Sequence, residues 1–221
     1  MKKIILSLAL LAGAAGAANA QIKYGVKGGF NGATFSGTDS KGSEYKAGFA
    51  AGAFLNFPIT ENVSVQPEFL YSQKGASVDT YQGLANRTLK STVGYVDIPV
   101  LVRYTVGEDG KGLFFEGGPQ GSLVVSNRDF FQTGGINTQQ NENTGTGDLN
   151  KVVLGYTAGL GYQITSGLSV GLRYTGDITQ VYKDGQSENF TKAANPGGTG
   201  LNPNVRNSVF QFQVGYAFGG K

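Results

Sequence analysis

Charged side chains on the polar side of alternating segments are the residues of this sequence that could do chemistry. The six that define this set are Glu68, Asp97, Arg103, Glu116, Arg173 and Asp177. Carboxylate and guanidinium groups either pair with one another in a protein interior or line a path for ions. The set therefore allows two interpretations, a salt-bridge network that fills an interior and an ion path through it.

Most catalytic chemistry is excluded by composition. The chain contains no His and no Cys, the residues that most general acid/base, nucleophilic and zinc chemistry uses. The stretch Gly-Glu-Asp-Gly-Lys-Gly at 107–112 is rich in glycine but has neither the spacing of a phosphate-binding loop nor a following helix. We read it as a turn, and we expect no enzyme activity, no catalytic residue, no metal site and no cofactor.

The first twenty residues have the three parts of a secretory signal peptide. Lys2 and Lys3 precede an apolar stretch at 4–12, and small residues end at Ala20. We predict that 1–20 are cleaved and that 21–221 form one β-barrel domain. Cleavage removes two of the 18 basic residues and leaves 16 against 15 acidic ones, so the mature chain is nearly neutral. The mature chain therefore has no excess of basic residues that would indicate nucleic-acid binding.

Apolar and polar residues then alternate with period two in segments of about ten residues, the pattern of β-strands. Eight such segments are present, and they begin near Ile22, Tyr45, Val63, Tyr95, Leu113, Val152, Leu168 and Phe210. The connections at 58–62, 106–111 and 164–167 are short, whereas those at 77–90, 126–148 and 181–205 are long and rich in Gly, Ser, Thr and Asn. This asymmetry is typical of outer-membrane barrels.

The sequence therefore predicts an all-β fold, an eight-stranded antiparallel up-and-down transmembrane β-barrel. Its short turns and both termini are expected in the periplasm. Its long loops are expected outside the cell, where we expect them to be mobile. The loops at 126–148 and 181–205 are candidates for binding a partner, and Phe130 and Phe131 interrupt the first of them.

A soluble eight-stranded barrel with an apolar interior is the alternative. Against it, the polar sides of the strands carry little more than one charge each. These charges are Lys23, Lys27, Lys46, Glu68, Lys74, Asp97, Arg103, Glu116, Lys151, Arg173 and Asp177. Aromatic residues also fall at strand ends beside short turns, as in the girdle of a membrane barrel, namely Phe57, Tyr104, Tyr162, Tyr216 and Phe218. We expect the apolar side to face lipid.

Four blocks of sequence carry a family resemblance. They are GVKGGFN at 25–31, GFAAGAFLNFPITENVSVQPEFLYSQKGA at 48–76, YVDIPVLVRY at 95–104 and FQFQVGYAF at 210–218. Together they resemble the outer-membrane β-barrel domain family common in Bacteroidota, often labelled PorT-like. The resemblance implies a place in the cell outer membrane and insertion there by the barrel-insertion machinery, with Tyr216 and Phe218 as the recognition signal.

Eight strands leave an interior just wide enough for side chains to fill, and we expect the six charged residues to form a structural network there. The fourth and fifth predicted strands form a hairpin around the turn at 106–111. This hairpin places Arg103 and Glu116 close enough to interact as a diagonal cross-strand pair. The leading functional hypothesis is a structural or accessory outer-membrane protein, including a subunit of a larger envelope complex. The alternatives are a narrow porin-like channel and a soluble secreted carrier. Expected partners are the lipid bilayer, the insertion machinery and other envelope proteins, but no nucleic acid.

Overall fold

A computed structural model describes residues 22–38, 40, 42–79, 87–107, 111–133, 139–143, 145–183 and 204–218. The strands are β1 Lys23–Ser36, β2 Ser43–Glu44, β3 Lys46–Pro58, β4 Val63–Lys74, β5 Ser77–Asp79, β6 Arg87–Val106, β7 Gly112–Thr133, β8 Gln139–Asn143, β9 Val152–Gln163, β10 Leu168–Asp177 and β11 Arg206–Phe218. The predicted signal peptide, 1–20, lies outside the described residues. No helix within the described ranges has the length and apolar character needed to cross a membrane.

Eight of these strands close into an antiparallel barrel, as predicted. Around the ring the order is β1, β3, β4, β6, β7, β9, β10 and β11, and β11 pairs with β1 to close it. Tyr24 lies opposite Phe218 at one end of this closing ladder, and Ser36 lies opposite Arg206 at the other. Closure gives every one of the eight strands two neighbours, so the barrel itself has no open edge.

The two sides of each strand face opposite environments. The apolar side faces outward and leaves large side chains exposed, for example Phe30 at 75% and Val100 at 44%. The polar side faces the lumen, where Arg103 and Glu116 are each only 9% exposed. A sheet that is apolar outside and polar inside is the arrangement of a membrane barrel and the reverse of a soluble one. The predicted facing is confirmed, and the soluble carrier is not supported.

Aromatic residues mark both ends of the outward apolar band. At the end with short turns, Tyr104, Tyr162, Tyr216 and Phe218 are exposed, as the sequence pattern predicted. A second group at the other end consists of rings in contact, Tyr45 with Phe210, Phe210 with Tyr174 and Tyr174 with Tyr156. The sequence analysis missed this second girdle, because the strands continue beyond it and the rings do not stand at strand ends.

The long connections contain more regular structure than expected. Residues at 77–79, 87–93, 126–133 and 139–143 belong to β5, β6, β7 and β8, and together with β2 they form a sheet beyond the extracellular girdle. The expectation of mobile loops starting at 77 and 126 was wrong there. Consecutive residues such as Asn127 and Arg128 are both polar here, so the apolar alternation by which strands are recognised is absent. Residues 184–203 of the last long loop lie outside the described residues.

Candidate functional site

The six charged residues of the sequence analysis all face the lumen, but the structure divides them between two clusters. The first, which we call the basic cluster, lies towards the periplasmic end and joins five side chains. Its members are Lys27 on β1, Glu68 on β4, Arg103 on β6, Glu116 on β7 and Arg173 on β10. Three cations meet two carboxylates, so the cluster carries a formal charge of +1.

Arg173 is the centre of the basic cluster. Its Nη1 donates to Glu68 Oε2 at 2.8 Å and its Nη2 to Glu68 Oε1 at 3.0 Å. Its Nε and Nη2 also donate to Glu116 Oε1, at 3.0 and 2.5 Å. In the ring of eight strands, β10 and β4 stand four places apart in either direction. Arg173 and Glu68 therefore span the full width of the lumen.

The other two cations complete the pairing. Lys27 Nζ lies 2.6 Å from Glu68 Oε1. Arg103 and Glu116 stand directly opposite each other in the β6–β7 ladder rather than diagonally. Arg103 Nε and Nη2 donate to Glu116 Oε2 at 3.2 and 2.9 Å. Each carboxylate thus receives hydrogen bonds from two cations, the pairing that a buried charge requires.

A glycine makes room for the packing around Arg103. The Arg103 guanidinium lies over the Phe114 ring, with Cζ 3.9 Å from the ring centroid. On the neighbouring strand, a Cβ added to Gly161 would lie 2.3 Å from Phe114 Cζ, which is too close for contact. Gly161 therefore allows the Phe114 ring to lie flat against the wall, and the ring in turn fixes the plane of the guanidinium.

The second cluster, which we call the acidic cluster, lies farther towards the extracellular end. Lys74 Nζ is 2.9 Å from Asp97 Oδ1 and 3.9 Å from Asp177 Oδ1. Ser72 and Ser122 donate their hydroxyl protons to Asp97 at 2.6 and 2.5 Å. One cation faces two carboxylates, so this cluster carries −1 and offsets the basic cluster.

Two lysines were missed as site residues by the sequence analysis. Lys27 and Lys74 were placed on the polar side of their strands but were not included among the six. Each is the cation that joins β4 to another wall, Lys27 from β1 and Lys74 through Asp97 on β6. The alternation signal alone would have found them, because inward-facing lysines cannot remain unpaired in a narrow lumen.

An apolar cap closes the lumen beyond the acidic cluster. Its buried side chains are Phe35, Ala76, Val93, Tyr95, Leu149, Val153, Val181, Tyr182 and Val205. Several of them come from the long connections and fold back into the barrel mouth. There the amide of Asn150 donates to Val181 O and the amide of Val181 donates to Val205 O, both at 2.9 Å. The cap was not predicted, because isolated Leu and Val residues in polar loops carry no periodic signal.

Asn207 bridges the cap and the acidic cluster. Asn207 Nδ2 donates to Tyr95 OH in the cap at 3.1 Å and to Asp177 Oδ2 in the cluster at 2.7 Å. Lys74 Nζ also lies 4.7 Å from the centroid of the Tyr95 ring. Tyr95 therefore presents its apolar ring to the cap and its hydroxyl to the charged region.

At the periplasmic end the lumen opens into a cavity of about 100 Å³, which we call the vestibule. Arg103 lies at its inner end, and on the far side of Arg103 a cavity of about 10 Å³ lies against Lys27 and Arg173. A cavity needs roughly 10–15 Å³ to hold one water molecule. The basic cluster thus separates the vestibule from the rest of the lumen.

Beyond the extracellular girdle, burial affects two titratable groups. Burial raises the pKa of the Asp129 carboxyl, although Asn127 Nδ2 donates to its Oδ2 at 2.9 Å. Burial, followed by the nearby Asp129 carboxylate, also raises the pKa of Tyr182. Within the described ranges, no three His, Cys, Asp or Glu side chains are grouped so that they could hold a metal ion.

Comparison with protein families gives one match. Residues 17–182 match the family described as "Outer membrane protein beta-barrel domain". No curated protein matches the sequence. The matched stretch covers most of the chain, from the end of the predicted signal peptide to the apolar cap.

Solved structures similar to this chain include those of two bacterial proteins. One is Ail, the attachment invasion locus protein of Yersinia pestis, in complex with the heparin analogue sucrose octasulfate. It has 12% sequence identity to this chain and a TM-score of 0.50, and the match covers 90% of this chain and 99% of that one. Neisserial surface protein A has 16% identity and a TM-score of 0.45 over 88% and 97% of the two chains. At this identity the similarity to Ail speaks for the fold alone.

Proposed function

The chain belongs to the outer membrane protein β-barrel domain family, and from this premise we propose that it is a non-conducting barrel with a structural or accessory role. It is a protein of the cell outer membrane, embedded in the lipid bilayer. The proposal concerns what the barrel does there. It rests on one observation, the double closure of the lumen by the basic cluster and the apolar cap.

The basic cluster opposes conduction because one of its ion pairs, Arg173 with Glu68, crosses the whole lumen. A hydrated ion could pass only after Arg173 had left Glu68 or Glu116, to which it is bonded at 2.5–3.0 Å. Breaking a buried pair by removing one partner costs about 3–5 kcal/mol. The apolar cap adds a second barrier of buried hydrophobic side chains.

The proposal includes the absence of enzyme activity. The chain has no His. The carboxylates of Glu68, Asp97 and Glu116 are bonded to cations or hydroxyls, and Asp177 Oδ2 accepts a hydrogen bond from Asn207. A carboxylate held in this way is a poor base, because its lone pairs are already occupied. These features support a structural role for Glu68, Asp97, Arg103, Glu116, Arg173 and Asp177.

A narrow channel for ions or small solutes is the second candidate function. It is favoured by the origin of the cap, since Leu149, Val181 and Val205 come from connections rather than from the eight barrel strands. Connections move more readily than strands in a closed barrel. Such movement would open the cap, but it would leave the basic cluster in place.

Planar-bilayer recording tests the proposal. We expect no steady, well-resolved channels from the wild-type protein or from a cap variant, Leu149→Ala. A double variant that also carries Arg173→Ala is expected to conduct, because both closures are then weakened. Lys111→Ala, which removes an exposed cation outside both clusters, is the matched control. Steady wild-type channels that Arg103→Ala abolishes would contradict the proposal and favour the channel.

A narrower identity is also proposed, on the sequence blocks given above. GVKGGFN at 25–31 and YVDIPVLVRY at 95–104 support a place in the PorT-like branch common in Bacteroidota. With it we propose that the barrel is a subunit of a larger envelope complex. Gentle extraction of the native protein, followed by identification of co-purifying proteins, is the test. A defined complex is expected, and a lone barrel would count against an accessory role.

A further inference from the structure

The vestibule at the periplasmic end is a polar cavity that the closure of the lumen does not require. It has a volume of about 100 Å³ and lies between the turns at 58–62 and 163–167. Its wall includes Lys23, Asn56, Ser64, Gln66, Arg103 and Ser169. Gln66 is fully buried, and Arg103 and Ser169 are more than nine-tenths buried, so the inner wall is built from fixed side chains.

Arg103 presents an unused donor to this cavity. Its Nε and Nη2 donate to Glu116 Oε2, whereas no described residue accepts a hydrogen bond from its Nη1. Nη1 is not among the fully buried, unpartnered nitrogen and oxygen atoms of the described residues, and Arg103 lines the cavity. The Phe114 ring holds the guanidinium plane. A fixed guanidinium with free N–H groups is the usual partner of a carboxylate or phosphate.

The charges around the vestibule favour an anion. The basic cluster behind Arg103 carries +1, and it borders the vestibule through Arg103. Lys23 adds a second cation at the wall. Glu61 on the turn at 58–62 is the carboxylate that opposes them. The cavity thus presents two cationic side chains against one anionic one.

We infer that the vestibule binds a small oxyanion, a carboxylate or a phosphate, through Arg103 Nη1 and the Lys23 ammonium group. A volume of about 100 Å³ accommodates one such group. The oxyanion is either free in the periplasm or the carboxylate of a polypeptide that reaches the barrel mouth. This inference is independent of conduction, because the vestibule lies on the periplasmic side of the closure.

Titration of the full-length barrel in detergent micelles with inorganic phosphate tests the inference. Nuclear magnetic resonance is expected to show a saturable shift of the Arg103 Nε–H signal and of the Ser64 and Ser169 amides. Affinity for one exposed oxyanion is expected in the millimolar range, about 1–10 mM. A response that stays linear to about 100 mM, or that equal sodium chloride reproduces, would overturn the inference.

Variants at the rim keep the test decisive, because replacing Arg103 itself disturbs the basic cluster. Lys23→Gln is expected to weaken phosphate binding about 2- to 5-fold, and Glu61→Gln to strengthen it by a similar factor. Lys111→Gln removes a cation from the same end that does not line the cavity, and it is expected to change nothing. Equal effects of Lys23→Gln and Lys111→Gln would refute a localised site.

The source of the oxyanion is distinguished by competing ligands. A tetrapeptide with a free C-terminal carboxylate is compared with its amidated form and with phosphate. Tighter binding of the free peptide, lost on amidation, identifies a polypeptide carboxylate as the occupant. Equal binding of acetate, phosphate and the free peptide identifies a free anion. Binding of the amidated peptide without any response to phosphate would contradict the proposed site.

Discussion

The lumen is closed at two levels by two kinds of interaction. In the basic and acidic clusters, charged side chains from different strands pair with one another, and Arg173 reaches Glu68 across the lumen. In the apolar cap, Val and Leu residues and two tyrosines fill the extracellular mouth. The clusters are made by residues within the eight barrel strands, whereas the cap depends on residues from the connections.

The two closures should respond differently to damage. A charge in a cluster needs its partner, since removing one member leaves the others buried and unpaired. An apolar residue in the cap loses mainly its own buried surface and leaves a cavity. We therefore expect one substitution in a cluster to destabilise all of its ion pairs. A substitution in the cap is expected to weaken only the contacts of the residue that is replaced.

The strongest test of this difference is Arg173→Met. It removes the cation shared by Glu68 and Glu116, and we expect a loss of about 3–5 kcal/mol in the free energy of unfolding. Urea titration in lipid vesicles, read by the mobility of folded and unfolded barrels on a detergent gel, measures it. Arg206→Met is the matched control, because Arg206 makes one exposed bond, to Ile178 O. Equal losses in both variants would show that the cluster is not a unit.

Leu149→Ala tests the cap. Leu149 is 1% exposed. Its truncation is expected to lower the local stability of the cap by about 2–5 kcal/mol. The loss should appear locally, as faster hydrogen exchange of the Asn150 and Val181 amides, which donate within the cap. Leu154→Ala, on the outward face, should leave these amides unchanged. A cap variant that lowers the stability of the whole barrel as strongly as Arg173→Met would remove the distinction between the two regions.

The outward face gives a reference for both closures. Val100→Arg places a charge on the apolar band, and near the bilayer midplane it should cost about 2–4 kcal/mol. Val106→Arg is the control, because Val106 ends β6 beside the short turn and has similar exposure. There the cost should fall to about 0–1 kcal/mol. Equal losses in the free energy of unfolding at the two positions, measured in vesicles, would contradict the assignment of Val100 to the bilayer interior and of Val106 to its edge.

Tyr95→Phe tests the link between the two regions. The variant removes the hydroxyl that accepts a hydrogen bond from Asn207 and keeps the ring in the cap. We expect a loss of about 1 kcal/mol. If the bond couples the regions, the costs of Tyr95→Phe and Leu149→Ala should not add in the double variant. Strict additivity in urea titration would show that the closures are independent.

The smallest expected effect is a pH dependence beyond the extracellular girdle. Burial, and to a smaller extent repulsion by Asp148, raises the pKa of Asp129 in the folded protein, against the hydrogen bond from Asn127 and the attraction of Lys46. Its contribution to stability is therefore complete below the unfolded-state pKa and is lost as pH rises through the raised folded-state pKa. Hydrogen-exchange protection of β7 near Asp129, corrected for intrinsic rates, should fall with rising pH over this window.

Asp129→Asn provides the control for that pH effect. The amide cannot ionise, so the variant should show flat protection over the same window. Tyr182, the other buried group nearby, also has a raised pKa and does not titrate at acidic pH. An identical fall in the variant would assign the pH dependence to another group.

The lumen-facing residues of the two clusters were easier to predict from the sequence than the residues of the cap. Val100 and Arg103 fall on opposite sides of β6 because the side-chain period of a strand is two, and the lumen set follows from that period. The strand register was harder to predict from the sequence. Arg103 and Glu116 lie directly opposite each other, and this pairing depends on the length of the turn between their strands. Leu149 and Val181 could not be predicted as core residues, since a loop that folds back follows no period.

The first and last strands form the seam that closes the barrel, from the pair Tyr24 and Phe218 to the pair Ser36 and Arg206. Synthesis delivers β1 at the beginning and β11 at the end, so the seam cannot form while the chain is still being made. Until then, unpaired strand edges and apolar side chains invite aggregation. We therefore expect closure of the barrel to be a late event in folding rather than a progressive one.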